Sequence, residues 1–257
     1  MDNVSVIALS TFRELVRSKV LYIVLFFAVA LVAVCSLFGT VTIGSQVLIV
    51  KDFGLFSVSI FSIGFAVIAG SSLLHKELSR KTIYTVLSKP VKRWQFILGK
   101  YFGILLTSSL MLVLMGAGLA AFLSFFNDGV DSLLLVSFFY SILELAIVCA
   151  SAIFFSTVVV TPILNGLFTF GFFLAGRSVE YLLYFVRDGS AEGVPLYFSK
   201  GLYCVLPHLN ELNVANEIVY GRAPSLHHLI FSSLYVVGYC GVLLIIAQIF
   251  FEKREFN

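Results

Sequence analysis

An all-α polytopic membrane protein is the fold class this sequence predicts, on three observations. Of its 257 residues, 60% are hydrophobic and 12% charged, with a mean hydropathy of +1.03, against roughly 25% charged in soluble domains. The apolar residues gather into runs of the length that crosses a hydrocarbon core of about 30 Å as a helix, about 20 residues. The Lys and Arg residues gather between those runs, most densely in LHKELSRKTIYTVLSKPVKRWQFILGKYFG at 74–103, where Lys76, Arg80, Lys81, Lys89, Lys92, Arg93 and Lys100 stand against the single acid Glu77.

Six spans are expected: 20–38, 53–74, 96–126, 133–160, one beginning at 163, and 229–251. The third and fourth exceed the minimum length and predict tilt or protrusion rather than extra crossings. Only residues 127–132, with two Asp and a Gly, separate them, which predicts a tight turn between antiparallel neighbours. The fifth is irregular. Its clean apolar part, 163–176, rises only about 21 Å as a helix, so the chain is expected to continue helically through Arg177 and Glu180 or to break into a short re-entrant pair. Residues 187–225, with Gly189, Gly193, Pro195, Pro207, Gly221 and Pro224, form the largest segment outside the spans. Short amphipathic elements are expected there.

Orientation follows from the preference of Lys and Arg for cytoplasmic flanks. With the N-terminus inside, twelve of the 17 Lys and Arg fall on the cytoplasmic side: Arg13, Arg17, Lys19, the seven of the basic island, Lys253 and Arg254. Lys51, Arg177, Arg187, Lys200 and Arg222 fall on the other side. An even number of spans returns FEKREFN to the cytoplasm. Residues 1–19 are too polar to cross, but Val4, Ile7, Ala8, Phe12, Leu15 and Val16 recur at helical spacing with Arg13, Glu14 and Arg17 off that stripe. An amphipathic helix in the inner interface is expected. A cleaved signal peptide fits less well, because the following apolar run is long and no small-x-small site ends it.

The residues exclude several function classes. Cys35, Cys149 and Cys240 lie in apolar runs and Cys204 stands alone, so no disulfide framework is implied. His75, His208, His227 and His228 have no metal-ligand spacing, and no metal site is expected. The pair at 227–228, at a span entrance, reads as interfacial polar anchoring, with a metal or proton site as the alternative reading. No GxxxxGK[ST] loop occurs, so the chain does not hydrolyse ATP by that route. The ionisable group deep in a span is Glu144, in SILELAIVCASAIFF. A carboxylate there costs on the order of 2.5–3.5 kcal/mol on insertion scales and should face the bundle interior, a partner or water. It reads either as a group lining a pathway or as a hydrogen-bonded structural acid, and no cation of its own span can pair with it. Gly99 and Gly103 form GxxxG, expected to serve helix packing within the chain. Phe125, Phe126, Phe138, Phe139 and Tyr140 read as lipid-facing bulk or an aromatic lining. An intramembrane enzyme would need a second acid or nucleophile at the depth of Glu144, and a secondary transporter would need inverted repeats; neither is evident.

The island carries a further pattern. HKELSRKTIYTVL reads as a helix that Pro90 stops, since the residue before proline avoids the helical region. KDFGL at 51–55, E-x-x-x-x-T-I-Y-x-x-L-x-K-P-x-x-R-x-x-F-x-x-G-K at 77–100, LPHLNELNVANEIVYG at 206–221 and F-x-x-R-x-F at 251–256 bracket nearly the whole chain. Together they resemble the type-2 permease subunits of ATP-binding cassette (ABC) exporters, the central run being the most specific. The resemblance implies a single permease domain over 1–257, non-catalytic, with 1–19 as a connecting helix, 75–93 as a cytoplasmic coupling-helix loop and 206–221 as outer gate helices. It implies that Glu77, Arg80, Lys81, Thr82, Tyr84, Leu87, Lys89, Pro90 and Arg93 contact a separate ATPase subunit. Lys81 stands where the family's best-known form has Gly, which removes a sharp turn but not the coupling role. ATP and Mg would sit on that partner, and this chain would bind no cofactor of its own. The implied assembly pairs the chain with a second permease copy or paralogue in the lipid bilayer, in the inner (cytoplasmic) membrane, without nucleic acid. An alternative use of the same stroke is mechanotransmission to envelope or surface-appendage assembly, with no solute moved.

Overall fold

The stripe of apolar positions near the N-terminus forms a helix, α1 (Asn3–Val16), that buries Ala8, Thr11 and Leu15 and leaves Arg13, Glu14 and Arg17 exposed. Thr11 belongs to the buried face although it is polar, and hydropathy alone passes over it. The computed structural model describes residues 3–19, 21–22, 24–26, 29–30, 46–79, 92–124, 132–159, 161–181 and 201–253. Most of the expected first span, the turn at 127–131, the stretch at 187–200 and the end of the chain from 254 therefore lie outside the described residues. Among the described residues every regular element is helical.

After α1 come α2 (Gln46–Ser79), α3 (Arg93–Ser124), α4 (Ser132–Val158), α5 (Pro162–Arg177), a 3₁₀ turn (Leu209–Leu212), α6 (Ala215–Val219) and α7 (Leu226–Lys253). Four helices are long and apolar enough to cross a membrane: α2 through Val50–Ser72, α3, α4 through Leu133–Val158, and α7. Six spans were expected; four are found among the described residues, because the first expected span lies mostly outside them and α5 is short. Sixteen residues make about 24 Å of helix, below the thickness of the hydrocarbon core. Thr161 and Pro162 start α5, with the proline at a position whose N–H would be unsatisfied anyway. It stops at Ser178, whose N–H donates to Leu174 and Ala175, and a helical turn at 179–181 follows. Helical backbone thus runs through Arg177 and resumes through Glu180 to Tyr181, and the residues that would decide between the two expectations for this segment lie outside the described residues.

The faces of α7 show how the bundle is sorted. Ser232, Val236, Cys240, Leu243, Ala247 and Phe251 are buried at helical spacing, while Ile230, Leu234, Val237, Ile245 and Ile249 form an exposed apolar stripe on the other side. That second stripe has the composition of a lipid-facing surface. At one end of the bundle Arg93 Nη1 donates to the carbonyls of Glu252 (2.9 Å) and Phe251 (3.3 Å), satisfying acceptors that the last turn of α7 cannot satisfy itself. Phe96 and Phe251 stack beside them at 6.0 Å. At the other end Tyr239 donates to Val205 O at 2.8 Å, and His208 N–H donates to the Tyr235 hydroxyl at 3.0 Å. Tyr140, fully buried, is hydrogen-bonded to His228 Nδ1 at 2.8 Å, joining α4 to α7.

Close approach without side chains fixes two crossings. A Cβ on Gly99 would lie 2.7 Å from Ile7, and one on Gly103 would lie 2.5 Å from Thr11 and 2.9 Å from the carbonyl oxygen of Ala8. Asn3 also donates to Gln95 at 3.3 Å. Contacts of 3 with 95, 7 with 99 and 11 with 103 keep one register, so α1 runs alongside the start of α3 in the same direction. The other crossing is α2 on α4, where a Cβ on Gly70 would sit 2.5 Å from that of Ala152. Gly103→Leu is expected to push α1 off α3 and cost about 1–3 kcal/mol, seen as a lower thermal midpoint in detergent. Gly118→Leu, with nothing within 4 Å of its Cβ, should leave the midpoint nearly unchanged.

Candidate functional site

Glu144 sits about 18 Å along α4 from Ser132 and is 2% exposed. A carboxylate so placed needs a cation and donors, and the fold supplies both from two other helices. Arg177 Nε donates to Glu144 Oε1 at 3.0 Å, and its Nη2 donates to Oε2 at 3.4 Å, a fork on both carboxylate oxygens. Ser59 of α2 donates to Oε2 at 3.3 Å and accepts from Arg177 Nη2 at 3.5 Å. The guanidinium also lies 5.4 Å from the Phe173 ring centre. Glu144 thus finds its cation on the next helix, at the last residue of α5, in the irregular fifth segment.

The short length of α5 is what delivers Arg177 to this depth. Next to it, a Cβ on Gly176 would come 2.9 Å from the carbonyl oxygen of Pro207, so the 206–219 segment packs closely over the end of α5. Leu209 and Leu212 of the 3₁₀ turn are buried beneath it. Gly221, at φ +74°, ends α6 with its own N–H on Ile218 O and that of Arg222 on Glu217 O, a Schellman closure that turns the chain toward α7.

A recess of about 60 Å³ lies at the ion pair, lined by Asp52, Phe56 and Ser59 of α2, Ser137, Ser141 and Glu144 of α4, Arg177, and residues 212–215 among others. Such a volume holds a few waters or one small polar group. Two of its walls have a helical signature: 52, 55, 56 and 59 share one face of α2, and 137, 141 and 144 one face of α4. Charge deep in a span makes Glu144 conspicuous in the sequence, whereas those serines and Asp52 are not. The i, i+4, i+7 spacing of polar residues in an otherwise apolar helix was the available signal. For Arg177, 33 positions away, sequence offered none.

The basic island is reached only at its edges. The backbone of α2 continues as helix through Glu77 to Ser79, five residues beyond the expected end of the span. Arg80, Lys81, Thr82, Tyr84, Leu87, Lys89 and Pro90, with the side chain of Glu77, lie outside the described residues. Arg93 is described, and it holds the C-terminal carbonyls of α7. Gly99 and Gly103 lie under α1. Among the described residues no group of three His, Cys, Asp or Glu could hold a metal ion.

A family model described as ABC-2 family transporter protein matches residues 5–256. No curated protein matches the chain.

The ion pair has an energetic signature that a double-mutant cycle reads. Arg177→Met leaves a buried carboxylate without its cation and is expected to cost about 3–5 kcal/mol, whereas Glu144→Gln/Arg177→Met, two neutral groups of similar size, should recover most of that loss. Thermal or denaturant unfolding of the four proteins gives the coupling.

Proposed function

The chain belongs to the ABC-2 transporter family, and from that premise we propose that it is the permease of an exporter driven by a separate ATPase subunit. As a member it is a multi-pass transmembrane component of an ABC transporter, of a family that is generally non-catalytic. The finer reading is that two permease chains form the membrane core, with both termini in the cytoplasm and the island at 75–93 seated on the ATPase. ATP binding and hydrolysis, with their Mg, belong to that partner.

The observation that supports this reading is the continuity of α2. One helix of 34 residues, with no proline, carries Glu77 in its last turn and Asp52 and Ser59 in its first half. Ser59 and Glu77 are about 27 Å apart along the axis. A push on the island is therefore delivered along a rigid rod to the wall of the ion-pair recess. Packed bundles respond to such a push by switching between discrete arrangements rather than by bending smoothly. In this arrangement the 206–219 segment lies against the recess, which fits a resting state closed on that side. The exposed apolar faces of α5 and α7, including Ile163, Leu167, Leu234 and Val237, suit lipid or the second copy.

Mechanotransmission without solute movement is the alternative use of the same stroke. A polar recess that a few residues separate from an open cleft favours transport, since a pure lever has no need of a charged interior.

Co-expression with candidate ABC ATPase subunits from the same genome tests the reading. Glu77→Ala and Lys81→Glu should each lower ATPase co-purification about tenfold or more, the effect of losing about 1.4 kcal/mol at an interface, while Arg177→Met leaves association unchanged. Full association and coupled ATP turnover in both island variants would contradict the assignment.

A further inference from the structure

Two spaces meet at the Arg177 end of the bundle. The recess at Glu144 and an open cleft of about 640 Å³ share Asn213 and Val214 in their walls, so these two residues form the threshold between them. The cleft is lined by Glu180, Glu211, Glu217, Arg222 and His228 among others. Glu180 accepts from Asn210, and His228 is engaged with Tyr140, so the cleft wall is held by its own hydrogen bonds.

The sign of the charge along this route is one-sided. Among the described residues lining the two spaces, the carboxylates are Asp52, Glu144, Glu180, Glu211 and Glu217, and the cations are Arg177 and Arg222. Low-dielectric walls focus such an excess, concentrating cations and turning anions away. At the far end of the route stands Glu144, almost fully buried, already holding a guanidinium. Arg177 is less deeply held than its partner, with its side chain 21% exposed against 2% for Glu144, and it reaches Glu144 from the C-terminal residue of a short helix. Withdrawal of Arg177 would leave a buried carboxylate uncompensated, which a replacement cation would relieve. An anion exchanging for Glu144 on Arg177 would have to pass the surrounding carboxylates.

We propose that the recess binds the ammonium or guanidinium head of a small organic cation, which takes the place of Arg177 on Glu144 while the body of the molecule lies in the cleft. Ser59, Ser137 and Ser141 offer hydroxyl oxygens to the N–H groups that the carboxylate does not take, and Asp52 offers a second carboxylate. Arg177 is then the resident counter-ion that compensates Glu144 in the empty site. This deepens the permease reading, on which it rests, by naming amine-bearing compounds as the substrate class.

The test uses the full chain in lipid nanodiscs, without the ATPase, and follows thermal unfolding in hexylammonium and in hexanoate at equal ionic strength. Hexylammonium should raise the wild-type midpoint in a saturable way and hexanoate should not. The Glu144→Gln/Arg177→Met protein, which keeps the volume of the site and removes both charges, should bind hexylammonium at least tenfold more weakly, and Asp52→Asn several-fold more weakly. An equal shift with hexanoate, an unchanged affinity in the neutral pair, or no wild-type shift overturns the cation site. Because binding is read on this chain alone, loss of the cation site with ATPase association intact leaves the permease reading standing. Cation binding without any ATPase association does the reverse.

Discussion

A carboxylate in the middle of an apolar helix is the constraint around which this bundle is built. Glu144 cannot be left to hydrocarbon, and the answer to it draws on separate parts of the chain: the guanidinium of Arg177 from α5 and the hydroxyl of Ser59 from α2. Meeting that demand explains otherwise odd features. The fifth apolar segment is too short to cross because its last residue has to be at the depth of Glu144. The next part of the chain, 206–219, packs down over that end, with Gly176 admitting Pro207 at a distance no side chain would allow. A buried ion pair is weak evidence for stability. Here it ties α2, α4 and α5 into one relation, and a change in that relation changes what Glu144 faces.

The remaining contacts divide into firm joints and lighter ones. α1 on α3 and α2 on α4 are joined through glycines that admit close approach, which makes them the tighter joints. The joint between α3 and α7 at Arg93 is a set of hydrogen bonds to helix-end carbonyls, charge-assisted yet open to rearrangement. On the proposed mechanism this difference matters. Motion imposed at the island travels with α2 and α4, whereas the joint at Arg93 and the 206–219 segment are places where the bundle can yield.

Much of the architecture was legible in the sequence, because membrane helices announce themselves by length and composition. The starts of α3, α4 and α5 fall within three residues of expectation, and the buried stripe of α1 was visible apart from Thr11. The end of α2 was not. Hydropathy ends the span at Leu74 and HKELS reads as the start of a separate island helix, whereas the backbone runs on without a break to Ser79, so the two are one element as far as that residue. Glu144 was conspicuous as a charge in an apolar run, yet its site was not, since Arg177 looks like an ordinary flank residue and the serines of α2 and α4 look like ordinary membrane-helix serines. Only their common facing, a property of tertiary packing, makes them a site. Arg93 shows another limit: the resemblance implies contact with a partner, and its acceptors at the end of α7 are a tertiary contact that sequence has no means to identify.

On the proposed mechanism, nucleotide on the partner moves the 206–219 segment relative to the helix that carries Glu144. Spin labels at Leu135, exposed near the start of α4, and Tyr220, exposed just after α6, in a background lacking Cys35, Cys149, Cys204 and Cys240, would report that relation directly by electron–electron distance measurement on the complex in nanodiscs. One distance distribution is expected without nucleotide and a second, displaced by several ångströms, with ATP trapped on the partner. A single unchanged distribution in a complex that turns over ATP would contradict it.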